Sequence, residues 1–244
     1  LSVKGNYDRA SEAFNFDLTG NAVPVPLALA FLPPNDAIPV ITGDMDFTAR
    51  ATGVALQAST YDVNFDGMAR GVNVGDNALG DVTFNGVTRG QVLTANLTAT
   101  LEGRPQVINA TVNFGSDDMP LTASTDFNQS PLAPFLAFVP LLKSYPITGT
   151  GTGRVEFGGN LTTTDTNGKR VFTADNLSGT AQFSQLALQI QDTPLGASEP
   201  VVIRFNKREV FFEKARFSGG GSNMTISGTK ALTDDAVNDL SIDG

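Results

Sequence analysis

The sequence predicts an all-β protein: a long, curled antiparallel sheet (a β-taco or groove) with a hydrophobic interior and one or two short helices. Three observations predict it. Apolar and polar residues alternate at period two along most of the chain. Turn signals separate the alternating runs at near-regular spacing. Helix signal is confined to two short apolar stretches.

The runs follow in chain order. Tyr61, Val63 and Phe65 alternate with Asp62, Asn64 and Asp66. Leu93, Ala95, Leu97, Ala99 and Leu101 alternate with Thr94, Asn96, Thr98 and Thr100, as a strand with one buried and one wet face does. Ile108, Ala110, Val112 and Phe114 repeat the pattern. Val201, Ile203 and Phe205 lead through a turn at Asn206-Lys207-Arg208 into Val210 and Phe212. Met224 to Ser227 and Leu240 to Ile242 add two more. Asn85-Gly86, Glu102-Gly103, Asn167-Gly168 and Ser218 to Ser222 read as turns between strands.

The stretch from Ser130 to Val139 reads as a short apolar helix, with Ser130 as its N-cap and Pro131 at its first position. Pro26 to Leu32 is a weaker copy. These two stretches open an internal repeat. Pro26-Leu27-Ala28 matches Pro131-Leu132-Ala133, Ala30 to Pro33 matches Ala137 to Pro140, and Ile41-Thr42-Gly43 matches Ile147-Thr148-Gly149. The offset is 105 to 107 residues. The chain reads as one continuous repetitive segment over 1–244, with repeat units at about 1–129 and 130–244.

Strand arithmetic limits the shape. About 20 strands at ~4.7 Å would give a single sheet roughly 90 Å long. Sheets beyond ~10 strands curl, split or flatten. With few helices to cover the apolar face, the sheet must fold over on itself. A β-sandwich, its interior filled by side chains, is the alternative to a trough with an open apolar channel. Phe supplies 17 of the aromatic residues against 3 Tyr and no Trp, which suits a dry interior in either form.

Composition excludes several chemistries. The 244 residues contain no Cys and no His, so disulfides, thiolate metal sites and histidine bases are absent. The formal net charge of −9, without a basic run, argues against nucleic acid as a partner. Leu1 is not a start Met, and Leu240 to Gly244 reads as a strand that ought to continue, so the sequence reads as a fragment of a longer protein.

Candidate chemistry is sparse. Asp62, Asn64, Asp66 and Gly67 match the opening of an EF-hand loop, but the twelfth position is Asn73 rather than a bidentate Glu. Asp117-Asp118 and Asp234-Asp235 read as solvated turns. Gly219-Gly220-Gly221-Ser222 lacks the Gly-Lys-Ser/Thr of a phosphate loop. Four sequons, at Asn96, Asn109, Asn160 and Asn223, place Asn and Thr on polar faces and read as surface. No metal, no cofactor and no enzymatic activity are expected.

Leu177 to Phe183, Leu186 to Leu188, Pro200 to Ile203, Val210 to Phe217 and Gly219 to Thr229 together resemble the TamB and AsmA-like proteins of the Gram-negative envelope. Val3 to Asp8, and Pro131 to Val139 followed by Ile147-Thr148-Gly149, are similar too. The resemblance implies a periplasmic protein, anchored in the inner membrane, that carries phospholipids toward the outer membrane. It also implies a link to outer-membrane protein assembly through a barrel partner. A structural or adhesive β-repeat protein, or a chaperone-like scaffold for outer-membrane proteins, is the alternative. The family has no catalytic residues; its working surface is the row of inward-facing apolar positions. Here those are Leu93, Leu97, Leu101, Ile108, Val112, Phe114, Leu186, Leu188, Ile203 and Phe205, expected to meet phospholipid acyl chains.

Overall fold

A computed structural model describes residues 1–29, 40–136, 147–166, 168–233 and 236–244. The chain is nearly all β, as the alternation requires. Its first half runs β1 (Ser2–Tyr7), β2 (Ala13–Pro24), α1 (Val25–Leu29), β3 (Ile41–Val54), β4 (Gln57–Val74), β5 (Asn77–Arg89), β6 (Val92–Leu101) and β7 (Arg104–Asn113). The second runs β8 (Pro120–Pro131), α2 (Ala133–Leu136), β9 (Ile147–Asn160), β10 (Thr162–Thr164), β11 (Arg170–Phe172) and β12 (Ser178–Ile190). It ends with β13 (Thr193–Ala197), β14 (Val201–Asn206), β15 (Glu209–Gly219), β16 (Ser222–Ala231) and β17 (Ser241–Asp243).

Fifteen strands form one antiparallel sheet, each mostly beside its neighbour in sequence. β13 and β14 share one place between β12 and β15, as a strand interrupted at Ser198 to Pro200. β10 and β11 form a separate hairpin. The chain divides into two compact units. Leu1–Ala123 and Asn160–Ala174 form the first, Ser124–Gly159 and Asp175–Gly244 the second. The first boundary falls close to the repeat boundary expected near residue 129, but the β10–β11 hairpin belongs to the first unit. Its Leu161 and Thr162 amides bond to the Met119 and Asp118 carbonyls. Arg170 pairs with Asp117 and holds that carboxyl below its usual range. Thr162, expected on the surface, is buried and donates its hydroxyl to the Asp117 carbonyl.

β3 and β9, which carry the two Ile-Thr-Gly segments, correspond in the backbone. β3 and β9 each have 14 residues and share one exposure pattern over their first ten. Gly43 and Gly149 sit in matching tight places: a side chain on either would meet a carbonyl oxygen of the next strand, of Arg70 at 2.9 Å or of Ala187 at 2.2 Å. Gly43 also has φ +133°, which disfavours any larger residue. Just before each helix stands a residue with positive φ, Ala22 (φ 47°) and Gln129 (φ 51°). The amide of Ala22 donates to the Asp46 carboxylate, and that of Gln129 to the Thr152 hydroxyl. Asp46 and Thr152 occupy equivalent positions of β3 and β9. These bulges turn the chain out of the sheet and into the helix.

The structure corrects the repeat's register at the helices. Pro24 corresponds to Pro131, each closing the strand before the helix, so the helix offset is 107 rather than 105. Ser130 is not an N-cap: it lies in β8, buried, and its hydroxyl accepts the Asn128 amide. Helix α2 starts at Ala133 because the bulge must first turn the chain. The matches over 30–33 and 137–140, Asn167 and Asp234-Asp235 lie outside the described residues.

Turn signals divide in the same way. Glu102-Gly103 and Gly220-Gly221 are two-residue hairpins with positive φ at both positions. Lys207-Arg208 also joins two strands directly. Asn85-Gly86 is no turn; both residues sit in the middle of β5. The Asp62–Gly67 segment is extended throughout as part of β4, so it forms no calcium-type loop.

Removing the acceptor for Ala22 tests the bulge. The Ala22 amide and then Arg70 hold the Asp46 carboxyl below its ordinary value of 3.8. A lowered carboxylate stabilises the fold above its unfolded value and loses that effect as pH falls through its folded value. Asp46→Ala is therefore expected to lower Tm at pH 7, and the gap to wild type should close as pH falls below about 4. Thermal melts across that range check it; a gap that persists at acid pH would show that the carboxylate is not the cause.

Candidate functional site

Registry places the side chains of the first unit into rows across strands. Phe84 on β5 faces Gly67 on β4 and Leu97 on β6, and Leu97 faces Ile108 on β7. Gly20, Phe47 and Gly67 continue this row through β2 and β3. The next row is Leu18, Ala49, Phe65, Gly86, Ala95 and Ala110. Beyond it come Phe16, Ala51 and Val63 on β2 to β4 and Leu93 with Val112 on β6 and β7. Alternation puts the polar partners on the opposite face, where Asp66, Asn85, Asn96 and Asn109 stand in line. Asn96 donates to the Asn85 side chain there, and Thr48 to Asp66.

Both ends of the apolar face are closed. At one end Val25 and Ala28 of α1, a helix seated beside β2 and β3, pack against a buried cluster made by Val23, Met45, Ala69, Val72, Val82 and Ala99. Gln106, the polar member of that covered row, is itself buried. At the other end Tyr61 stacks edge-on between Phe14 and Phe114, with ring centres 5.7 and 5.6 Å away. Tyr61 is on β4 and Phe114 just follows β7. In a flat sheet three strand spacings, roughly 14 Å, would separate them. The sheet of this unit therefore curls toward its apolar face.

Between the closed ends the face is half-open. Leu97 is 37% exposed, whereas Ala99, two residues along the same strand and on the same face, is 7% exposed. Phe16, Phe47, Phe65, Phe84, Leu93, Ile108 and Val112 are all half-buried. Registry places no charged side chain on this stretch. Its hydroxyl, on Thr88, accepts the Val63 amide. A shallow concavity of about 500 Å³ is lined mainly from the polar face, by Thr48, Asp66, Met68, Thr83 and Asn85 among others, and so is no part of this stretch.

The rings meet glycines. Phe65 lies on Gly86 and Phe84 on Gly67, a reciprocal pair with ring centres 6.3 Å apart. Phe47 lies on Gly20, and Phe16 on Gly5 of β1. In the second unit Phe205 lies on Gly179. There Gly151 and Gly153 of β9 leave space for Phe127 and Phe183, on the flanking strands, to meet 5.8 Å apart. Phe127 also meets Phe135 of α2 edge-on at 5.0 Å. A side chain on β9 at those points would run into the Phe183 ring.

The expected groove residues thus divide. Leu93, Leu97, Ile108 and Val112 are brought together, in two paired rows, on the half-open stretch. Leu101 and Phe114 share that face but are buried at its closed ends. In the second unit Leu186 is buried in the cluster that carries Leu132, with Leu188, Ile203 and Phe205 packed half-buried against it. Phe16, Phe47 and Phe84 share this face, with Phe47 and Phe84 also packed against the cluster at its closed end, and were not singled out from the sequence. The signal for Phe84 lies in its pattern: Phe65-x-Gly67 and Phe84-x-Gly86, antiparallel, pair ring with glycine both ways.

No known family model, no curated protein and no solved structure matches this chain. No helix among the described residues is long and apolar enough to cross a membrane.

The contrast between open and covered positions can be measured. Leu97→Arg puts its charge within reach of water, so it should behave as a surface change and shift Tm by less than about 3 °C. Ala99→Arg puts a charge into the buried cluster at the closed end and should lower Tm by about 6 °C or more. Equal destabilisation by both variants would mean that the face is a filled core.

Proposed function

We propose that this chain is a non-enzymatic stretch of an envelope lipid conduit of the TamB and AsmA-like kind, with its apolar sheet face holding phospholipid acyl chains. One observation carries the reading: the charge-free face of the first unit is closed at both ends and half-open between. Side chains there lie on a surface that another apolar body can still cover. A polar ligand or an extended peptide would leave unpartnered polar groups on it, at a cost that an alkyl chain does not incur. Exposed apolar surface of this extent is itself unfavourable in water, which supports an occupant. On this reading the full-length protein is anchored in the inner membrane and acts in the periplasm. An outer-membrane barrel protein at the far end would be its partner.

Native mass spectrometry of gently purified protein tests the proposal. Wild type should carry phospholipid, and Leu97→Arg should lose it while keeping the wild-type melt. Lipid-free wild-type protein, or undiminished lipid on folded Leu97→Arg, would overturn the assignment of this face.

A further inference from the structure

We infer that Gly86 and Gly20 are positioning residues that hold the apolar face open, by letting the Phe65 and Phe47 rings lie down on the sheet. The inference rests on the lipid-face reading and deepens it, because it names what sets the height of the acyl-chain surface. A side-chain carbon built on Gly86 would lie 2.4 and 2.5 Å from Phe65 ring carbons, with the third nearest atom another of that ring at 3.2 Å. On Gly20 it would lie 2.2, 2.5 and 3.0 Å from Phe47 ring carbons. In both places the three nearest atoms belong to the ring alone.

Other ring-bearing glycines differ. Gly67 would also meet the Asp46 carbonyl oxygen at 2.5 Å, Gly179 that of Glu156 at 2.6 Å, and Gly5 that of Asn15 at 2.1 Å. Those positions need glycine for strand packing. Gly20 and Gly86 have ordinary backbone angles that alanine can adopt. Their added methyl has one way to be accommodated: the ring tilts up, away from the sheet. Phe65 and Phe47 are both partly exposed, so each ring has a side that meets solvent, although Phe47 also packs against the buried cluster at the α1 end.

The consequence is local. Ala49, Ala95 and Ala110 make the Phe65 row low, and rows with Phe84, Leu97, Leu93 and Val112 stand on either side. Laid flat on Gly86, the Phe65 ring continues that low floor. Tilted up, it blocks the floor midway. The occupant favoured is a linear alkyl chain, which fits a narrow floor without hydrogen-bond partners.

The test uses a lysophospholipid with a fluorescent polyene tail, titrated into the whole chain and its variants. Gly86→Ala should melt within about 3 °C of wild type. Its affinity should fall about tenfold, the worth of roughly two lost methylene contacts. Removing the ring as well, in Gly86→Ala/Phe65→Ala, should restore binding, which a merely structural role for Gly86 would not predict. Should Gly86→Ala fail to fold, Gly20→Ala with Phe47→Ala gives the same comparison. Unfolding of both single variants would show that the rings have no room to rise and would overturn the inference. So would folded Gly86→Ala with wild-type affinity, or a double variant no better than the single. Wild type that takes up no lysophospholipid would instead remove the lipid-face reading, and this inference with it.

Discussion

A phenylalanine ring laid on a glycine of the next strand is the contact on which the described sheet depends. A ring standing upright on each strand would crowd an inward-curling sheet and force it flat. A glycine opposite each ring removes one side chain per pair and brings the ring down against backbone. The sheet can then bend toward its apolar face, as the Phe14–Tyr61–Phe114 contact in the first unit requires. The same exchange lets Phe127 and Phe183 meet across β9 in the second unit. Glycine weakens a strand by its backbone entropy and lack of packing. Ring contacts offset this, with aromatic pairs contributing about 0.5–1.5 kcal/mol beyond their burial.

The second device is the exit from the sheet. In each unit a residue with positive φ breaks the ladder, a side-chain oxygen of the following long strand takes the freed amide, and a short helix lies on the apolar face. Asp46 and Thr152 differ in charge yet fill the same role, because the amide needs an acceptor and not a particular group. The helix packs against the buried cluster at one end of that face. Ala99 is covered and Leu97 is not, so one strand carries a piece of filled core beside a piece of open surface.

That division separates stability from the proposed work. The clusters beneath α1 and α2 supply burial for each unit, and the aromatic contact at Tyr61 closes the far end of the first. The stretch between contributes less to the core and is therefore free to meet another apolar body. Polar residues are gathered on the opposite face, where Asn85 and Asn96 bond to each other and Arg154 pairs with Asp126 and Glu156. Pairs so exposed add little stability; they keep that face wet.

The sequence by itself determined the class of fold. Period-two alternation leaves an antiparallel sheet with one apolar face as the economical outcome, and the Ile-Thr-Gly repeat marks a backbone approach that tolerates nothing larger than glycine. It also placed Leu93, Leu97, Ile108 and Val112 on a common face, since alternation fixes a face without knowledge of registry. Exposure was beyond its reach, because Leu97 and Ala99 look alike until packing buries one of them in the cluster at the α1 end. The glycines misled for a related reason. Phe65-Asp66-Gly67 resembled part of a calcium loop and Asn85-Gly86 a turn. Each glycine answers to a ring some 20 residues away, brought opposite only when β4 and β5 pair. Local signals report what a glycine permits, and only the tertiary structure decides which neighbour uses it.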